Sequence, residues 1–420
     1  MTIMPVASFA QSGTNSPYSQ YGLGVLSDQT SGFNRGMNGV GLGYREPNQV
    51  NFINPASYSS IDSLSFIFDA GVSGQITNFS ENGKKVNANN ADFEYAVAGF
   101  RAFKHVGVSF GILPFTNVGY SYSESSNIGV SSEYYTNTYS GSGGLHQIYL
   151  GVGWEPLKGL SFGVNGGYLW GNINRSVVNS YSTTSPKTLS KSYQADVRSY
   201  NIMFGLQYQL ALSKNDVFTI GATYSLGHKL SSTPECITST TNPQSGDVDA
   251  DTLSVKNGLE LPSMIGAGLT WSHAGKLKVG FDYTLQKWEK TFYPQYGEVN
   301  GKSAYVLVKG LFNDRHKFNL GADYCGNETS RRFINRIHYR AGASYAKPYQ
   351  KINGLDGPKE ISVSAGFGIP LINAWNNRSI LNISGQWVHQ SAKGMITENT
   401  FRINIGLTFN ERWFMKWKVN

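Results

Sequence analysis

The sequence predicts an all-β fold, a transmembrane antiparallel β-barrel of about fourteen strands. Three observations carry that prediction. Apolar and polar residues alternate with period two over most of the chain, the alternating spans are long enough to cross a bilayer, and the connections between them alternate between tight and long. Composition agrees. The 420 residues include 48 glycines, 25 tyrosines and 23 phenylalanines, and charged residues make up 15%. No run approaches the roughly 18–20 apolar residues that a spanning helix needs, so spanning helices are excluded. A slightly polar average suits a wall whose lipid-facing and water-facing residues cancel.

The chain begins MTIMPVASFA. Residues 1–10 are expected to be the remnant of a secretory signal, with Ser8 and Ala10 as the small residues before a cut at Gln11. No cysteine follows that cut, which argues against a lipoprotein. Residues 11–62 do not alternate; they carry SGFNRGMNGVGLG (31–43) and NFINPASYSSID (51–62).

From residue 63 to 410 strands are expected near 63–79, 91–103, 106–123, 143–155, 160–181, 191–212, 217–235, 257–273, 276–292, 314–324, 335–347, 359–369, 378–390 and 398–410. In the last of them Phe401, Ile403, Ile405, Leu407 and Phe409 alternate with Arg402, Asn404, Gly406 and Thr408. A soluble sandwich alternates in the same way, so strand number, strand length and aromatic ends decide. An even number of strands of at least roughly 9–11 residues fits a closed barrel. The connections at Lys104-His105, Glu155 to Gly159, Ser213 to Asp216 and His273 to Gly275 are tight, whereas those at 124–142, 236–256 and 293–313 are long. Short periplasmic turns and long extracellular loops place both chain ends in the periplasm. Trp154, Trp271, Trp288 and Trp387 are expected in the interfacial girdles. Cys236 then falls at an extracellular strand end and Cys325 at a periplasmic one. Roughly 25–30 Å of bilayer separates them, so no disulfide joins them.

The Gly-rich run followed by Asn54, Pro55 and Ala56, immediately before the first strand, resembles the outer-membrane long-chain fatty-acid transporter family and its toluene and xylene uptake relatives. The resemblance implies that residues 11–62 fold into the lumen as a hatch. Phe33, Met37 and Phe52 would then be hatch residues that touch a ligand. The third strand, VGVSFGILPFTNVGYSYSE (106–124), carries Pro114 inside its alternation, and a proline cannot donate to a ladder. Two readings stand. The resemblance implies a kink that opens a lateral gap around Pro114, Phe115, Asn117 and Gly119; a bulge at the barrel rim explains the proline without any gap. The segment NERWFMKWKVN departs from the family pattern. It defines a basic, aromatic tail over 411–420 that extends the last strand, lies on the inner leaflet or docks a periplasmic partner.

Charges at lumen-facing parity are Asp69, Lys278, Asp282, Lys317, Asp323, Arg340 and Arg402. Inside a filled barrel such charges need partners. They either pin the hatch, which brings Arg35, Arg45 and Glu46, or form an anion site around Arg340 and Arg402. Net charge is +8. The basic residues form no stripe, so no nucleic-acid partner is expected; they suit strand ends near outer-membrane lipid and lipopolysaccharide. The histidines, His105, His146, His228, His273, His316, His338 and His389, show no metal-ligand spacing, so no metal is expected. Asp247, Asp249 and Asp251 lack the glycine and glutamate of a calcium loop and mark a solvated polar loop. No nucleophile elbow, phosphate loop or cofactor motif is present, so no enzyme and no cofactor is expected. Passive uptake of a hydrophobic small molecule is the leading expectation. The alternative is a scaffold or shuttle subunit that holds a periplasmic or secretion-system protein.

Overall fold

The computed structural model describes residues 13–129, 133–183, 186–371 and 379–411. The signal remnant at 1–10 and the tail beyond Glu411 lie outside the described residues.

Fourteen strands close an antiparallel barrel in sequence order: β1 (Phe66–Glu81), β2 (Lys84–Phe103), β3 (Val106–Asn127), β4 (Tyr134–Leu157), β5 (Leu160–Tyr181), β6 (Thr188–Ala211), β7 (Asp216–Ser225), β8 (Met264–His273), β9 (Leu277–Gln286), β10 (Arg315–Cys325), β11 (His338–Ala346), β12 (Lys359–Leu371), β13 (Ser379–Ser391) and β14 (Thr397–Glu411). Pairing of β1 with β14, from Phe66↔Glu411 to Ser80↔Thr397, closes the ring and leaves no edge in the hydrocarbon there. Alternation sets the two faces. Phe401, Ile403, Ile405 and Phe409 point outward, while Asn404 and Thr408 are buried inside. A band of apolar side chains facing outward around a closed barrel is the surface that lipid covers, and the chain is an outer-membrane barrel.

The strands depart from the expected spans on the extracellular side. The segment 124–142, expected as a loop, is mostly strand, because β3 runs to Asn127 and β4 starts at Tyr134. Above the bilayer the alternation no longer needs apolar residues. Thr and Tyr suit strands there, and cross-strand pairs hold them: Tyr122 stacks on Tyr139 at 4.9 Å and Ser125 bonds Thr136 at 2.9 Å. Conversely, strand seven ends at Ser225 and strand eight begins only at Met264. The expected loops 236–256 and 293–313 contain the hairpins Glu235–Thr241/Val248–Ser254 and Tyr293–Val299/Lys302–Val308. The first adds to the outer end of β6. Its second strand carries Asp249 and Asp251, so the polar loop expected there is a strand. Trp288 also moves. It is 2% exposed and stacks on Tyr349 at 4.5 Å inside an extracellular apolar cluster, not in a girdle.

Residues 13–61 lie inside the ring, and glycines on the inner wall explain how they fit. A Cβ on Gly221 would sit 1.8 Å from the Leu42 carbonyl oxygen, and one on Gly107 would sit 1.9 Å from that of Tyr58. A Cβ on Gly163 would lie 2.3 Å from the Pro55 carbonyl carbon, and one on Gly342 would lie 2.4 Å from that of Met37. The wall approaches the segment backbone to backbone, a distance that only glycine permits. This accounts for part of the unusual glycine content.

Candidate functional site

The site begins with two β-bulges. Between β1 and β2 the register slips at Gly71/Val72, opposite Tyr95 and Phe93, so Glu94 has no cross-strand partner. An extra residue re-aims its neighbours, and both Glu94 and Tyr95 are buried inward. Between β3 and β4 the register slips at Pro114/Thr116, which leaves Phe115 as the bulged residue and buries it in the lumen. Pro114 supplies the cause, since it has no N–H for the ladder.

Between these bulges the wall parts. β2 and β3 pair only from Phe103↔Val106 to Ala96↔Ile112. Beyond that point β2 stays on β1 as far as Lys84, and β3 stays on β4 as far as Asn127. The freed edge of β3 is met from inside by a two-residue strand of the N-terminal segment: Val25 pairs with Asn117 and Leu26 with Thr116, and the Ser27 N–H donates to the Phe115 carbonyl at 3.1 Å. The inward bend of the neighbouring strands uses Gly144 (φ 143°) and Gly171 (φ 149°), where a Cβ would strike the Thr116 and Gly144 carbonyls.

A cavity of about 840 Å³ lies at the opening, with Asp92, Asn117, Gly119, Asn172, Asp196 and Arg198 in its lining. A smaller one of about 170 Å³ lies deeper. Leu26, Phe115, Met264 and Trp288 make its apolar side, and Arg315 with the Lys317–Asp28 pair makes its charged end. Above it an apolar cluster that includes Leu23, Val118, Leu145, Leu230, Phe312 and Tyr349 fills the lumen.

The lumen charges fall into two groups. Five meet the N-terminal segment. Lys317 donates to Asp28 at 3.0 Å, Arg402 lies 3.5 Å from the same carboxylate, and Lys278 pairs with Glu46. Asp282 accepts from the Gly41 and Leu42 amides at 2.7 and 2.9 Å. Asp69 accepts from the Tyr95 hydroxyl at 2.9 Å, and that hydroxyl accepts from the Gly32 amide at 2.7 Å. The other two, Asp323 and Arg340, pair with each other on neighbouring strands at 3.2 Å, and the Arg340 side chain packs against Gly36 and Phe33 of the segment without a polar bond to it. Burial alone would push the Asp28 carboxyl up, but Lys317, Arg402 and Arg35 outweigh it and hold the group well below the usual carboxylate range. Arg340 also bonds Asn382, and Arg402 bonds Gln75 at 2.9 Å, so the structure keeps the two arginines engaged and apart.

Asn54, Pro55 and Ala56 form more than a turn. The Asn54 side chain accepts from the Ala56 amide at 3.1 Å as the cap of a 3-10 helix (Pro55–Ser60), and it donates to the Leu42 and Leu206 carbonyls at 2.9 and 3.1 Å. Pro55 rests on Gly163 and Gly205. Phe33, Met37 and Phe52 are each at most 3% exposed. Phe33 packs against Tyr44, and Phe52 packs between Tyr95 and Tyr149.

Sequence reasoning missed three contributors. Glu94 bonds Arg35 at 2.6 Å, and Glu155 bonds Arg45 at 2.7 Å. Arg315 reaches Glu360 only at 3.9 Å. Strict alternation puts Glu94 and Tyr95 on opposite faces, so no pattern reveals the bulge that aims both inward. Cys236 and Cys325 are free.

A closed fourteen-strand barrel with its N-terminal segment in the lumen and one parted seam is a FadL-type fold. Solved structures share it. A Pseudomonas aeruginosa FadL homologue matches with a TM-score of 0.63 and 11% identity over 91% of this chain and 98% of that one. The Pseudomonas putida toluene transporter TodX matches with a TM-score of 0.61 and 15% identity over 93% and 100%. The Ralstonia pickettii toluene transporter TbuX matches with a TM-score of 0.60 and 14% identity over 90% and 97%. At such identities the likeness speaks for the fold. No curated protein sequence matches the chain. The family model described as BamG matches residues 1–420, and the chain belongs to the BamG family.

Proposed function

We propose that the barrel takes up small amphiphilic hydrophobic molecules, of the fatty-acid kind, and releases them sideways into the membrane between β2 and β3. The parted seam carries this reading, because an apolar solute gains by leaving for lipid and not for the aqueous periplasm. Behind the seam lies a pocket lined by Leu26 and Phe115 on its apolar side and by Arg315 and the Lys317–Asp28 pair at its charged end. The resemblance implied fatty acids and aromatic hydrocarbons alike. Arg315, whose ion pair with Glu360 is long at 3.9 Å, favours a ligand with an anionic head, since a plain hydrocarbon brings its guanidinium no closer partner. In this reading residues 13–61 act as the hatch and Asn54-Pro55-Ala56 anchors it.

Laurate uptake by protein-bearing liposomes tests the proposal. Wild type is expected to bind and admit laurate, and Arg315→Gln to bind it about tenfold more weakly. A wild-type protein that neither binds nor moves laurate or toluene sinks the reading.

One observation favours a second role, as a scaffold in a secretion or outer-membrane assembly complex. β3 to β6 run 22 to 24 residues and carry the hairpin 235–254, whose outer strand Val248–Ser254 is mostly exposed. A free strand edge accepts a partner strand. A stoichiometric partner captured from native membranes, and lost on substitution of Thr252 by proline, would support it.

A further inference from the structure

Among the described residues, one connection on the periplasmic side is longer than the tight turns. Residues 326–337, between β10 and β11, form a long turn on that side, and it carries both exposed apolar and cationic side chains. Phe333 is 49% and Ile334 67% exposed at the start of a short 3-10 helix (Phe333–Arg336). Arg331 and Arg332 precede it and are exposed, and the Arg336 guanidinium lies 5.6 Å from the centre of the Phe333 ring.

The turn is built, not loose. Asn327 donates its amide to the Asn335 carbonyl at 2.8 Å, its side chain accepts from the Thr329 amide at 2.9 Å, and the Asn335 amide donates to Arg332 at 3.2 Å. Its direction is also fixed. The Tyr339 hydroxyl donates to the Ile334 carbonyl at 3.3 Å, and Tyr339 stands on the lipid-facing side of β11. Its ring meets the outward Phe367 edge-on at 5.8 Å, and Tyr324 faces outward beside it, 49% exposed. The turn therefore continues the lower aromatic edge of the lipid-facing surface and leans over it.

We propose that this turn is an anchor for the periplasmic leaflet, with Phe333 and Ile334 seated at the headgroup–acyl boundary and Arg331, Arg332 and Arg336 bound to anionic phospholipid headgroups. Apolar tips flanked by guanidinium groups at the depth of an aromatic belt match what an anionic interface rewards on both counts. Glu328 is the acidic residue of the turn; it is 55% exposed and lies 3.7 Å from His338, so the turn stays net positive. The proposal is independent of any transport role.

Two measurements on the full chain in bilayers test it. In nanodiscs of equal phosphatidylethanolamine and phosphatidylglycerol, native mass spectrometry is expected to find phosphatidylglycerol enriched among the retained lipids. The enrichment should fall at least about fivefold in R331Q/R332Q/R336Q, with heat-modifiable migration showing the barrel intact. Enrichment unchanged in the variant overturns the proposal. A spin label on Ile334→Cys should be relaxed more by oxygen than by a water-soluble nickel chelate. A label fully open to the chelate in lipid overturns the anchor and points to a protein-docking turn instead.

Discussion

The N-terminal segment meets the barrel in two different ways on its two sides. Residues 37–58 rest on inner-wall glycines of β3 to β5, β7, β10 and β11, where the contact is backbone on backbone. Residues 13–31 face the parted seam and the strands beside it, where a two-residue ladder and ion pairs through Asp28 hold them. A glycine contact admits no side chain and so has one geometry, whereas an ion pair among partly exposed long side chains is weak and exchangeable. The difference leaves the seam side held more by pairwise polar contacts and the other side more by close backbone packing.

Substitutions that attack the close-packed side should cost most. Gly163→Leu forces a side chain into Pro55 and is expected to cost about 5 kcal/mol, read from urea unfolding in lipid. A tolerated leucine there would mean the glycine face is no anchor. Where the two sides meet, Glu94→Ala leaves the Arg35 guanidinium buried without its carboxylate and should cost about 3 to 4 kcal/mol; Glu94→Gln, which keeps the hydrogen bond, should recover part of that. Asn54→Ala removes the helix cap and two bonds to wall and segment carbonyls, for about 2 kcal/mol in the same assay.

The seam side should respond least. Asp28→Asn is expected to cost below about 1 kcal/mol at neutral pH. Because the Asp28 carboxyl is held below its ordinary range, its contribution is present above that range and disappears as the pH falls through the lowered value. The wild type should thus keep its advantage over the asparagine variant from pH 7 down to about pH 5 and lose it only as the pH falls further toward the lowered value. An Asp28→Asn effect larger than that of Gly163→Leu would reverse the comparison.

Much of this was legible early. The Asn54-Pro55-Ala56 motif falls where Asn54 bonds the Leu42 and Leu206 carbonyls, and the proline of strand three falls at a register slip. Lumen-facing parity picked out Asp69, Lys278, Asp282, Lys317 and Arg402, each of which meets the segment directly or through Tyr95. The same parity left Arg340 and Arg402 either as anchors of the segment or as an anion site; Arg340 bonds Asn382 and Arg402 bonds Gln75. Trp288 looked interfacial because it closes an alternating run, but its loop folds back over the lumen.

The sequence by itself determined the number of strands, their direction and which face each residue shows, because a two-residue period is a local property of an extended chain. Only the tertiary structure decided where that period breaks. Glu94, Tyr95 and Phe115 point inward because bulges slip the register against neighbouring strands, and register is a relation between strands that no single stretch contains. The parted seam between β2 and β3 follows from those two slips together.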